Sequence, residues 1–595
     1  MFTTRPELIG THGMVASTHW LASATGMAVL ERGGNAVDAA VATGFVLQVV
    51  EPHLNGPGGD VPILFAAPSG SVDVYCGQGP TPGAASLEHY LGLGLDLVPG
   101  TGLLAAVVPG AFGAWTLLLE REGTWSLRDV LEPAISYAED GYPVLPGTAA
   151  TIRTVEQMFR DEWPTSAQTW LAGSSAPAAG ERWRNPVLAA TYRRVVEEAE
   201  AAGSGREQQI AAARDAFYRG FVAEAIARFA TTSEVLDTSG RRHRGLLDGD
   251  DLARWEPTVE PPLSLDHAGV TVHKTGPWGQ GPVMLQQLQV LSGVDLAGMG
   301  HLSVDWVHTV VESAKLAFAD REAWYGDPDH VDVPVEALLS SEYAAERRAL
   351  ISETASYDLR PGSPGGRTPR LPAGASPGGA RPAVTSDGAG EPTVLGDGST
   401  RGDTCHVDVV DRDGRMVSAT PSGGWLQSSP TIPELGFCLG SRAQMLWLEP
   451  GLASSMAGGV RPRTTLTPSM VTRDGRPWLA FGTPGGDQQD QWSLAYLLTC
   501  LHTGLDLQAA IDAPMFSTEH FPSSFYPRQA TPGRLVVEGR LPREVVEGLR
   551  ARGHDVQVGG DWTQGRLSAV GRDAATGFLR GAANPRGMQG YAVGR

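Results

Sequence analysis

The sequence predicts an α/β chain arranged as a four-layer αββα sandwich, with two strand layers between two helical ones. Three observations carry this. Strand hairpins are expected at 404–420, turning at Asp413-Gly414, and at 469–481, turning at Asp474-Gly475. Helical periodicity dominates 110–350 and returns at 494–501 and 507–511. Strands and helices seldom alternate as β-α-β crossovers, which separates the pattern from a doubly wound sheet.

Taken in order, 19–30 is an Ala- and Leu-rich helix that Gly33-Gly34 ends. Asn35 caps a second helix, where Ala36, Ala39 and Ala40 imply close packing. Residues 55–60 form a tight glycine loop ahead of a strand at 61–65. That loop lacks the Lys-Ser/Thr ending of a phosphate cradle, and its strand follows rather than precedes it. Helices are expected at 115–120, 127–139, 188–202 and 301–325, and a strand or strand pair at 263–274. Residues 276–282 make a rigid turn into a helix at 283–291. From 356 to 403 Pro, Gly, Ala, Ser and Arg dominate, and a stretch so poor in large apolar residues is expected to be loose.

A net charge of −20 argues against nucleic acid or an anionic membrane as partner. Four widely spaced cysteines, with no CxxC pair, give neither a zinc site nor a disulfide framework. No basic, apolar leader is visible at the N-terminus, and no run approaches the ~20 apolar residues of a membrane span. The expectation is a cytoplasmic protein with a small-molecule substrate, no cofactor and no metal. The cluster of His502, Glu519 and His520 lacks metal-ligand spacing.

Thr404 opens a buried strand directly behind the loose stretch. A hydroxyl there suggests a chain that cuts itself between Asp403 and Thr404, since the new α-amine would serve the hydroxyl as its own base. Strand alternation puts Thr404, His406 and Asp408 on one face and Cys405, Val407 and Val409 on the other. Cys405, which would need a cut one residue later, is thus turned away.

Several motifs resemble the γ-glutamyltransferase (glutathione hydrolase) family. They are Gly13–Ser17 with 33–42, 108–110, 404–411, 461–468 and Gly482-Thr483-Pro484-Gly485-Gly486, in family order across almost the whole chain. The resemblance implies an N-terminal-nucleophile hydrolase, cleaved into a large subunit, 1–403, and a small subunit, 404–595, intertwined as one domain. It also leaves room for a dimer of processed units. It makes Thr404 the nucleophile and Gly485 and Gly486 the oxyanion hole, where the bland reading is a turn. Thr464 and Thr465 fall where the family holds a substrate carboxylate, against a reading as turn or cap. Thr420 and Ser422 share a face and are placed to reach Thr404; ordinary sheet residues are the other reading.

The head-group contacts depart from the family. No arginine occurs at 75–82, where it is expected. Gly424 stands for an asparagine, Gln444 lies in a loosely matching segment, and Trp447 falls at an acidic position. With Trp425 and Asp487 these are the substrate-binding candidates, against core packing for the tryptophans and helix capping for Asp487. Arg442 would supply a replacement charge, or lie on the surface. The expected activity is hydrolysis of a small carboxylate-bearing amide. Glutathione hydrolysis, C–C cleavage releasing oxalate in a 4-alkylproline antibiotic pathway, and ligand binding without catalysis are the alternatives.

Overall fold

Two seven-stranded sheets lie face to face. The computed structural model describes residues 2–171, 175–375, 404–586 and 590–595. In one sheet the order is Tyr591–Gly594, Gly13–Ser17, Val407–Asp411, Met416–Ala419, Val61–Ala66, Val72–Gly77 and Thr258–Glu260. In the other it is Leu8–Gly10, Leu579–Ala583, Ser568–Arg572, Arg476–Gly482, Ser469–Arg473, Val270–Lys274 and Leu263–His267. Strand alternation sorts the side chains into layers. Met14, Val410, Met416, Met470, Ala480 and Val570 fill the space between the sheets. Val15, Val407, Val409 and Ile63 point outward under the helices Trp20–Glu31 and Ala36–Val50. Val272, Val471, Leu479 and Phe481 point the opposite way, under Gly281–Leu291, Val304–Trp324 and Gln489–His502. The four-layer αββα sandwich is therefore the observed fold.

The helix Ala36–Val50 is buried along its entire length, so apolar periodicity has no polar face to alternate with. Its start is fixed by a capping box: Asn35 accepts from Val37 and Asp38, and Asp38 accepts from the Asn35 N–H. The 263–274 region resolves as a pair of strands, Leu263–His267 and Val270–Lys274.

Two expectations need correction. The strand begins at Val407, and Thr404 joins it only through an isolated antiparallel bridge to Ser422. The stretch from 356 is held down as far as Arg367. Ser356 N–H donates to Glu312, Gly362 N–H to Asp320, and Arg367 pairs with Asp332. Polar anchors, which a count of apolar residues does not register, tie this segment to the helix Val304–Trp324 and to Asp332 beyond its end. Beyond residue 375 the expected loose stretch, with Asp403, lies outside the described residues.

Candidate active site

Thr404 is fully buried. Its Oγ1 donates to Ser422 Oγ at 3.3 Å, and Cys405 N–H donates to Pro421 O at 2.9 Å. Cys405 faces the other way, its Sγ 3.1 Å from Glu51 in the helix-side core. Thr420 shares the Thr404 face, but its hydroxyl meets His406 Nδ1 at 2.9 Å rather than Thr404. His406 Nε2 meets Asp408 at 2.9 Å, and Asp408 also accepts from Ser418 and Ser568. This buried chain of hydrogen bonds ties the Thr404 strand to the opposite sheet.

Gly485 and Gly486 follow the strand Arg476–Gly482, whose last residue packs on the His406 ring. Both have left-handed backbones, φ 129° and 56°. A Cβ on Gly485 would also fall 2.3 Å from the Trp492 ring, so glycine is required twice over. The peptide is held from behind: Gln280 donates to Gly486 O at 3.2 Å, and Arg321 donates to Gln280 Oε1 at 2.8 Å.

Arg321 also binds Asp487, which accepts in addition from Ser524 N–H and Oγ. Burial acts to raise the Asp487 carboxyl, but Arg321 and Ser524 overcome it and hold it below its ordinary range. Asp487 is thus an ion-pair partner and not a helix cap; Gln488, at the cap position of Gln489–His502, makes no side-chain cap bond either. Arg463 and Arg321 share Glu322 at 2.7 and 2.9 Å, extending a buried charge cluster behind the glycines.

Of the hydroxyl pair, Thr464 accepts from Leu466 N–H at 3.3 Å. Thr465 Oγ1 is buried with no partner among the described residues, and Thr464, which only accepts, keeps its O–H to donate.

The remaining binding candidates separate by what they touch. Gly424 has φ 64°, and a Cβ there would meet Gly59 N at 2.9 Å and Cys438 O at 3.0 Å. It is glycine because two backbones press on it. Trp425 is buried under the Arg442 guanidinium, 5.1 Å from its ring, with Nε1 donating to Leu54 O. Gln444 spends its amide on Gly100 O, Ser441 and Tyr526 N–H, which fixes the loop around 526. Trp447 lies beneath Arg528, 4.3 Å from ring to guanidinium. Arg442 is buried rather than on the surface, and binds Asp60.

Sequence reasoning missed Gln280, Arg321 and Asp60. The rigid turn at 276–282 and the glycine loop at 55–60 marked the places of Gln280 and Asp60, but an isolated polar residue in a turn carries no sign of its partner. Among the described residues, His308, Glu312 and His554 have the spacing to hold a metal. Those atoms are already engaged: Lys315 binds Glu312 at 2.6 Å, and His308 bridges His554 and Ser352 O.

The sequence matches the family profile described as Gamma-glutamyltranspeptidase over residues 22–594. It is 31% identical over 596 residues to the glutathione hydrolase-like YwrD proenzyme of Bacillus subtilis, covering 99% of each chain. It is 31% identical over 599 residues to the oxamate amidohydrolase proenzyme of Klebsiella pneumoniae, covering 98% of this chain and 99% of that one. The solved structure of LmbA2991HD is similar with a TM-score of 0.94 at 56% identity, and both chains are covered in full. The chain belongs to the gamma-glutamyltranspeptidase family and is an enzyme of its N-terminal-nucleophile hydrolase and acyltransferase type.

Proposed function

We propose that the chain is an autoprocessed threonine hydrolase acting on a small carboxylate-bearing amide. The observation that carries this is the buried Thr404 hydroxyl, bonded to Ser422 and sharing the His406 face onto which the strand leading to Gly485-Gly486 packs. Cleavage between Asp403 and Thr404 frees the Thr404 α-amine, whose ordinary pKa is about 7.7–8.0. The neutral amine takes the Oγ1 proton as Oγ1 attacks the acyl carbonyl. The N–H groups of Gly485 and Gly486 hold the oxyanion, and Ser422 orients the amine and hydroxyl. Collapse breaks the C–N bond, the leaving amine takes the proton, and water releases the acid from Thr404. Thr465 and the walls formed by Trp425 and Trp447 receive the acyl group.

The name of the Klebsiella relative, oxamate amidohydrolase, supports an amide whose acyl part carries a carboxylate. A second reading, C–C cleavage of an activated dicarbonyl compound, is favoured by the apolar wall of Trp425, Met445 and Phe525 beside the site. There the leaving carbon, stabilised as a carbanion, takes the proton in place of nitrogen, and the acyl-threonine is the same. The negative net charge and free cysteines fit a cytoplasmic enzyme with no nucleic-acid partner. A dimer of processed units completes the reading.

Denaturing electrophoresis with N-terminal sequencing tests it. Wild type is expected as two pieces, the shorter beginning at Thr404, and Thr404→Ala as one. A wild type that stays whole, or a shorter piece beginning at Cys405, would sink the proposal.

A further inference from the structure

Arg442 carries a charge that the fold leaves half used. It is 1% exposed. Only Nε is engaged, 3.1 Å from each Asp60 oxygen. Nη1 and Nη2 are buried with no partner among the described residues. An arginine commonly meets a carboxylate through two parallel N–H bonds; here the terminal fork is unspent. Charged donors left unmet inside a protein are costly, so the arrangement points to a ligand.

The fork belongs to the Thr404 neighbourhood by strand geometry. Ser422 exchanges backbone bonds with Asp60, at 2.8 and 3.0 Å, and is bridged to Thr404 on its other side. Directly opposed residues of antiparallel segments project from the same face. Thr404, Ser422 and Asp60 therefore form one row, about 10 Å from end to end at typical strand spacing. The Asp60 carboxylate that holds Arg442 emerges on the face of the Thr404 hydroxyl. Trp425, fixed by its bond to Leu54 O, supports the guanidinium from one side. Asn55, bridged to Gly423 in the same loops, also has both amide atoms buried without a partner among the described residues.

We propose that Arg442 is the carboxylate receptor of the site, held by Asp60 and Trp425 so that Nη1 and Nη2 grip the carboxylate of a short, dicarboxylate-derived acyl donor. This rests on the reading of Thr404 as nucleophile and gives its substrate class: oxalyl-, malonyl- or succinyl-type amides and their carbon analogues. Arg528 is the rival, since its Nε and Nη2 are also buried and unpartnered among the described residues. It lies instead over Trp447, near the charge cluster of Glu322 and Asp487, and not on the sheet row of Thr404.

The test compares wild type, Arg442→Lys, Arg442→Gln and Arg528→Gln. The double variant Asp60→Asn with Arg442→Gln is added, because Gln alone strands the buried Asp60. Electrophoresis establishes cleavage of each, independently of specificity. Turnover is then measured on matched pairs: oxamate and oxamide, malonamate and malonamide, succinamate and succinamide. Wild type is expected to prefer the acid of at least one pair. The folded Arg442 variants should lose that preference, the acid-to-diamide ratio of kcat/KM falling by about 10- to 100-fold. Calorimetric titration of oxalate, malonate and succinate reads the receptor without turnover, so a failure of the Thr404 chemistry is told apart from a failure of the receptor. A preference that survives in every folded Arg442 variant, that is lost in Arg528→Gln instead, or that wild type never shows with any pair overturns the assignment.

Discussion

At the residue scale the site depends on positions where one atom more is one too many. Gly485 combines a left-handed backbone with a Trp492 ring 2.3 Å from where a Cβ would be. Gly485→Ala is expected to swing the peptide N–H away from the forming oxyanion. The expected loss is about 10²–10³ in kcat, the cost of one oxyanion donor, with a smaller change in KM. Steady-state kinetics on the cleaved protein checks it, and a proportional rise in KM alone would count against the oxyanion role. Some neighbours in this site were legible from sequence: Ser422 lies beside Thr404 as the strand offset implied, whereas Thr420 turns its hydroxyl to His406. The ion-pair partners were not. Nothing in the letters ties Asp487 to Arg321, or Arg442 to Asp60, because 166 and 382 residues separate them and only the fold brings the charges together.

At the element scale the buried helix Ala36–Val50 depends on its first turn. Asn35→Ala removes one half of the capping box and should cost about 1 kcal/mol. Asp38→Ala should cost more, since Asp38 also accepts from Thr124 N–H, Thr124 Oγ1 and Trp125 N–H at 2.7, 2.6 and 3.0 Å. Urea unfolding of both variants checks the order; equal midpoints would contradict it. Behind the Gly485-Gly486 turn, Arg321→Met leaves Glu322 and Asp487 buried with one partner fewer, and is expected to destabilise by about 3–5 kcal/mol. Elements with a clear period were readable, as in both hairpins and the helix Val304–Trp324. The strands Gly13–Ser17, Ser568–Arg572 and Leu579–Ala583 were not. They lie between two packed layers, are rich in Gly and Ala, and bury both faces, so the period-2 signal vanishes.

At the scale of the whole molecule, stability should follow the buried histidines. Burial holds His19, His53 and His554 down at about 3, and His273 and His520 at about 4. The unfolded chain takes up these protons near pH 6.5 and the folded chain does not, so their contribution is complete above pH 6.5 and is lost as pH falls toward 4. Asp490, held up at about 6 mainly by burial, acts in the opposite direction, as do Asp60, Asp320 and Glu519, also raised by burial. Asp487, Glu322 and Asp327, buried but held down by arginines, act with the histidines. Melting temperatures should therefore drop steadily from pH 6.5 to 4. A melting temperature that is flat or rises over that range would refute the balance.

The strand Gly13–Ser17 lies between Val407–Asp411 and Tyr591–Gly594, paired to both. A break ahead of Thr404 would therefore not yield two bodies that drift apart on dilution. Three further ladders cross the same break, Val61–Ala66 with Met416–Ala419, Leu8–Gly10 with Leu579–Ala583 and Val270–Lys274 with Ser469–Arg473, so extracting either piece means tearing five at once and baring raw sheet edges on both. The nicked molecule should come apart only by unfolding, with a lifetime independent of concentration. By the same weave, halves made separately have no finished surfaces on which to meet; the fold has to be completed before the chain is opened.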